Sequence, residues 1–482
     1  MKRIVMVILG VLGLAVIGLA GSAYWVGLSA EKQYQDYVNQ GSGNPNIRVT
    51  LADYRRGWWT SEAVIRFDIE GARPQEGKPQ PVSFSLKHEI DHGLLPIAWW
   101  WHHGFSPQPV QAMVRTVLVQ DSDWIRELAA LYGSREPLEI ISVIALNGSS
   151  EHTVIMPPLD ITDQGGLRLL KFSGVQGQFQ IAPGRAVIKG QLGITALNLV
   201  TSAAQQDSVK LLNLKLDVDQ QRSPRGLMIG DSALQLEELQ VAAAADPGKS
   251  VTLSGLAIST RGKAQGELLD GDTDLEVGRV VVAGETVGKG KLRLSVRRLD
   301  EATLVKFQQW GKRLESGAPD EAATEEFMTL LHELLKRQPE LALGTQVNTV
   351  QGDLQASADF TLQDSGQLQA QNPSTLLEAL ASAKAEVSIA RGLLEAGWVN
   401  MLKNQLRTTL TAQGIPADEA KLENIAKTQA QQQLAQLVKN DFIRLDGNTY
   451  KARARFQDKR LFLNDREIPL PLAGSAPSPS LH

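Results

Sequence analysis

From Leu212 to Asp219 the chain alternates without exception: Leu212, Leu214, Leu216 and Val218 are interleaved with Asn213, Lys215, Asp217 and Asp219. A period of two puts the apolar side chains on one face of a strand and the polar ones on the other. One buried and one wet face is the pattern of an antiparallel sheet. Comparable strands are predicted at Leu234/Leu236, Val251/Leu253, Leu275/Val277, Val280/Val282 and Leu292/Leu294/Val296. The phase slips at Glu237-Glu238 and at Gly278-Arg279, which predicts bulges. Pro224, Pro247-Gly248, Gly271-Asp272 and Gly288 supply turn signals between the strands. Recurrence every ~20 residues predicts long, meandering strands.

Other segments extend this picture. Ile47, Val49 and Leu51 alternate, as do Ala63, Ile65, Phe67 and Ile69, and Val82, Phe84, Leu86, His88 and Ile90. Asp121-Ser122-Asp123 caps a short helix from Trp124 to Tyr132, stopped by Gly133. Helices are also predicted over 301–315 and 321–337, the second with Phe327, Leu330, Leu331, Leu334 and Leu335 at helical spacing. Strands resume at Asn348 to Leu362. A helical region runs from Leu393 to Val438, broken at Gly414-Ile415-Pro416, and a hairpin follows, Tyr450 to Phe456 and Leu461 to Ile468. The predicted fold class is α+β: an N-terminal transmembrane helix followed by a large, long-stranded, curved antiparallel sheet domain with packed helices. The organisation expected is an anchor over 1–30, a juxtamembrane helix and linker over 31–46, a β-rich domain over 47–300, a mixed helical and β region over 301–470 with the terminal hairpin, and a disordered, proline-bearing tail over 471–482.

The anchor expectation rests on Ile4 to Val26, an almost unbroken apolar run that as a helix covers roughly 34 Å, enough for a ~30 Å hydrocarbon core. Lys2 and Arg3 precede it, which keeps that end cytoplasmic and sends the rest across the membrane, in a bacterium into the periplasm. Tyr24 and Trp25 stand at the far interface. Gly21-Ser22-Ala23 offers the rival reading of a cleaved signal peptide, but the run exceeds a typical ~7–15-residue signal core. Acidic residues number 53 and basic residues 49, a near-balance without the electrostatic footprint of a nucleic-acid binder. The cysteine count of 0 removes disulfides, thiol catalysis and Cys-based metal centres.

Tyr54-Arg55-Arg56-Gly57-Trp58-Trp59-Thr60-Ser61 joins two predicted strands. Gly57 permits a tight turn or bulge, Trp58 offers a large area to bury, and Arg56 can lie over an aromatic face. A packed corner and a partner surface both fit these residues. Through Tyr54, Arg56, Gly57, Trp58 and Ser61 the segment resembles the YdgA-like family of bacterial inner-membrane-anchored envelope proteins, which has no assigned function. His92-Gly93 resembles a second family element, although Leu94-Leu95-Pro96 follows where proline is usual at once. Leu461-Phe462-Leu463-Asn464-Asp465 resembles the family's terminal strand, with Asp465 in place of the usual glycine. The resemblance implies an inner-membrane-anchored periplasmic protein and supplies no catalytic residues.

Several motifs mimic chemistry. His88-Glu89-Ile90-Asp91-His92 has the spacing of a zinc protease, which needs both histidines one helical turn apart. On a strand they stand ~13 Å apart instead. Gly284 to Lys289 is one residue short of a phosphate loop, and Gly290 replaces the magnesium-holding Ser/Thr. Asp270, Asp272 and Asp274 have calcium-loop spacing, but Leu275 and Val281 stand where that loop needs Gly and Glu; an acidic turn tip is expected. No Ser-His-Asp elbow occurs. Adjacent Trp99, Trp100 and Trp101 cannot all face one core, so they form a candidate interface with a partner or the membrane.

These observations predict no catalytic residue, cofactor or metal. The expected role is a non-enzymatic, membrane-anchored periplasmic scaffold or interaction protein, with the inner membrane and envelope proteins or lipids as partners and no nucleic acid. The alternative is lipid or hydrophobic-ligand binding on the curved sheet, favoured if a stripe of aliphatic side chains faces solvent.

Overall fold

The structure is a computed structural model that describes residues 35, 47–75, 78–93, 109–164, 167–201, 207–244, 246–314, 321–366, 378–412 and 418–469. The expected anchor over 1–30, the linker, Trp99 to Trp101 and the tail lie outside the described residues. Among those described, no helix is long and apolar enough to cross a membrane. The chain divides into two units, Met1–Ala245 with Gln308–Ala318, and Asp246–Phe307 with Pro319–His482.

The fold is α+β, dominated by antiparallel sheet. In the first unit, β1 (Ile47–Arg56), β2 (Thr60–Gln75), β3 (Lys78–His92), β4 (Val110–Val119), β5 (Glu139–Ala145) and β6 (Ser150–Met156) pair in succession. The hairpin β7 (Leu159–Gln164) and β8 (Leu167–Phe172) follows, then β9 (Val175–Ile181), which pairs with β6. β10 (Val187–Thr201) is long enough to receive β9 and β8 end to end along one edge. β11 (Ser208–Arg222) and β12 (Met228–Ala242) complete the ladder. The predicted slip is present: Asn213 takes a left-handed φ of 47°, and the register skips the Asn213/Glu237 position. Helix α1 (Asp123–Tyr132) ends at Gly133, φ 64°, and packs Tyr132 on Leu159 and Ile161.

In the second unit, β13 (Val251–Gln265), β14 (Leu268–Val282), β15 (Glu285–Asp300), β16 (Glu340–Thr349), β17 (Gly352–Leu362) and β18 (Leu380–Ala390) pair in order. β20 (Thr449–Gln457) adds to β18. Its far edge is shared end to end by β19 (Arg444–Asp446) and β21 (Arg460–Leu463), and β22 (Arg466–Ile468) pairs with β21. Helix α2 (Glu301–Leu314), of which Glu301–Phe307 belong to this unit and the rest to the first, starts where Asp300 Oδ1 accepts from the Thr303 N–H at 2.9 Å. Helix α3 (Glu321–Leu335) buries Leu335 against Ala379. Helices α4 (Arg391–Ala412) and α5 (Glu419–Lys439) form a hairpin. Leu422, Ala426, Ala430 and Leu434 recur every fourth residue along the buried face of α5, the spacing of one helical stripe.

Four expectations need correction. Gly271-Asp272 is not a turn but lies inside β14, with Asp270 and Asp274, so the acidic tip is a strand segment. Its carboxylates face neighbours on β15: Asp272 meets Arg297 and Asp274 meets Arg293, each at 2.6 Å. Gly288 sits within β15, and the turn falls at Ala283-Gly284, both left-handed. The terminal strand expected over 461–468 is two strands, because Asn464 and Asp465 both adopt positive φ, 48° and 71°, the backbone of a two-residue hairpin turn. The resumed strand begins at Glu340 rather than Asn348, and β18 was not anticipated.

Candidate functional site

The turn between β1 and β2 shows why its sequence is so specific. The Gly57 N–H donates to the Thr60 carbonyl at 2.8 Å. A Cβ at Gly57 would stand 2.7 Å from that same oxygen, so only glycine closes the turn without displacement. Ser61, the second residue of the return strand, stands opposite Arg56. Its hydroxyl meets His92 Nε2 at 3.0 Å. The His92 N–H donates to the Trp59 carbonyl at 3.0 Å, and Gly93, at φ 118°, donates to Gln111. The two motif elements, distant in sequence, therefore clasp one corner. Tyr54 packs against the cluster of Ala63, Ile90, Ala112 and Val114 beneath it.

Trp58 does not bury the area expected of it. It is 66% exposed, and Arg56 is exposed beside it. The tight turn places successive side chains on opposite sides, and it is Trp59 that is half-buried. Trp58→Ala should change stability by no more than about 0.5 kcal/mol, measured by denaturant titration; a loss of several kcal/mol would put this ring back in the core.

His88 and His92 lie on β3 either side of Ile90, not on a helix, so they do not converge on one ion. Each imidazole instead meets a hydroxyl. His88 Nδ1 lies 2.8 Å from Thr116 Oγ1, and His152 lies 2.8 Å from both Ser142 and Ser150. Burial pushes the His88 imidazole down to about 4, and lowers His152 also. Ser61 and His92 have the spacing of a nucleophile and base, but at 2% and 1% exposure neither reaches solvent. Their bond fixes the corner. Among the described residues, no group of three His, Cys, Asp or Glu could hold a metal.

A second surface, which motif reasoning missed, is the apolar face of the second unit's sheet. One cross-strand row runs Leu275, Leu292, Thr345, Ala356, Val387 and Ala452. The next runs Leu294, Leu343, Ala358, Ala385, Ala454 and Leu463. No residue of either row is buried, and Leu292 and Leu343 are 38% and 39% exposed. Between the rows lies a recess of about 250 Å³ floored by Ala356, Ala358, Ala385, Ala452 and Ala454. Period-two alternation identified Leu275, Leu292 and Leu294 among these residues but not Leu343, Ala385 or Val387, which lie outside the predicted strands, and the sequence holds no signal that the face stays unburied.

The sequence is 24% identical to Protein YdgA of Escherichia coli (strain K12) over an alignment of 485 residues, covering 93% of this chain and 92% of that protein. Residues 1–471 match the family described as bacterial protein of unknown function (DUF945). The match takes in the glycine turn, the Ser61–His92 clasp and the terminal hairpin, and the chain belongs to this family.

Proposed function

We propose that the protein works by binding rather than catalysis, as a membrane-anchored periplasmic envelope protein whose second unit holds a hydrocarbon chain on its open sheet face. The supporting observation is the pair of unburied aliphatic rows. Contiguous aliphatic side chains left open to solvent mark a docking surface more often than isolated ones do. A protein partner is bound with about one hydrogen bond per 100–200 Å² of interface. Apart from Thr345, these rows offer no side-chain donor or acceptor, which suits an acyl chain that needs none. The alanine floor lets such a chain lie close to the backbone. The apolar run from Ile4 to Val26 supports the anchor, with the N-terminus cytoplasmic and the bulk of the chain periplasmic. The buried state of Ser61 and His92 supports a non-enzymatic role.

The test is binding of a fluorescent fatty acid to the full-length protein in micelles, with mass spectrometry of co-purified lipid. Saturable binding, weakened about tenfold or more by Ala385→Phe with the melting transition unchanged, is the expected result. A lipid-free protein that ignores the probe sinks the lipid reading and leaves an envelope scaffold whose partner protein covers the face.

A further inference from the structure

The opposite, polar face of the same sheet carries a larger recess, about 1140 Å³, spanning β14 to β18 and β20. At strand spacings of ~4.8 Å this trough is roughly 24 Å across, the length of a chain rather than of a single small molecule. Its two walls are built of ion pairs. On one side Arg293 meets Asp274 at 2.6 Å and Lys291 meets Glu276 at 2.9 Å. On the other Arg453 meets Glu386 at 3.1 Å and Lys451 meets Asp446 at 2.6 Å. Between them the floor is uncharged: Gln346, Gln355, Ser357 and Ser388, with Gly344 leaving a notch opposite Ser357. Among the described residues, none of those four floor side chains has a protein hydrogen-bond partner.

We infer that this trough binds an uncharged oligosaccharide. The ligand class follows from what the lining offers and lacks. Every wall charge is already paired with an opposite charge, so no net field draws a polyanion or polycation. Leu275, Leu292, Val387 and Leu445 also border the recess, but they alternate with its polar residues and share the register of the apolar face. The floor therefore offers no large apolar side chain to anchor a peptide, and its strands β16 to β18 have no free edge to extend by strand addition. What remains is a row of unengaged amides and hydroxyls flanked by carboxylates and guanidinium groups. These are complementary to vicinal hydroxyls and N-acetyl groups, which donate and accept at close intervals along a chain. The trough lies on the face opposite the hydrocarbon recess, so the inference stands apart from the lipid reading.

Gly344 gives a clean test. A Cβ there meets nothing within 4 Å, and its φ is not left-handed, so Gly344→Leu fills the notch without straining the strand. The probes are maltoheptaose and the N-acetylglucosamine pentamer, added to the full-length protein and followed by saturation-transfer NMR and calorimetry. Saturable binding of either is expected, insensitive to salt and weakened about tenfold or more by Gly344→Leu at an unchanged melting temperature. Ser357→Leu should act in the same direction. Absence of binding by both sugars overturns the inference. So does sugar binding that neither variant affects, or binding that falls steeply with salt.

Discussion

Ile90→Ala should destabilise the protein by about 2–5 kcal/mol, the range for a fully buried isoleucine cut to alanine. Ile90 is 2% exposed and sits in register between Ser61 of β2 and Val114 of β4. Its buried neighbours in the cluster are Ala63, Ala112 and Val114, with Leu51, Tyr54 and Ile144 packed around them. The corner is also tied by the Ser61–His92 bond and by the His92 N–H to Trp59 carbonyl bond, so collapse into the cavity would break polar contacts. Urea titration of the full-length protein measures the loss, with Trp58→Ala as the exposed comparison. An Ile90→Ala protein as stable as that control would mean the motif corner is not a packed core.

Acidification should remove about 3 kcal/mol through His88 alone. Its imidazole titrates near 4 when folded against 6.5 when free, and each unit of difference is worth about 1.36 kcal/mol. The unfolded chain binds the proton more readily than the folded one between those values, so stability rises with pH across that window. The contribution is complete above about pH 6.5 and is lost as pH falls through about 4. His152, also lowered by burial, acts in the same direction. Unfolding free energy measured at steps across this window should fall steadily. His88→Gln, which cannot titrate, should flatten the slope; an unchanged slope would assign the acid sensitivity to other groups.

The long strands were legible because Leu and Val alternate against charged residues over many positions, and a period of two is not ambiguous at that length. β18 was missed because its apolar face carries Ala383, Ala385, Val387 and Ile389; alanine carries little strand signal and favours helix on propensity. The Asp458-Lys459 turn was legible from the hairpin on either side of it, whereas the Asn464-Asp465 turn has a left-handed backbone without a glycine to announce it. The strand phase of His88 and His92 was readable, since it follows from the alternation before them. Their hydroxyl partners were not, because Thr116 on β4 meets His88 and Ser61 on β2 meets His92 only through register across neighbouring strands. Trp58 was misplaced because composition states how much area a ring can bury, not which side of a tight turn it leaves.

The second unit's sheet shortens as it ends. β15 has 16 residues, β18 has 11, β20 has 9, β21 has 4 and β22 only 3. Sheet edges are templates: a row of unpaired amides and carbonyls recruits another chain and begins a fibril. A taper reduces that template to a stub. The far side of β20 is consumed by β19 and β21 laid end to end, and the last rung is too short to nucleate pairing. A protein that leaves aliphatic side chains uncovered on one face has most to fear from stacking with its own copies, and here the edge on which such stacking would propagate has been whittled away.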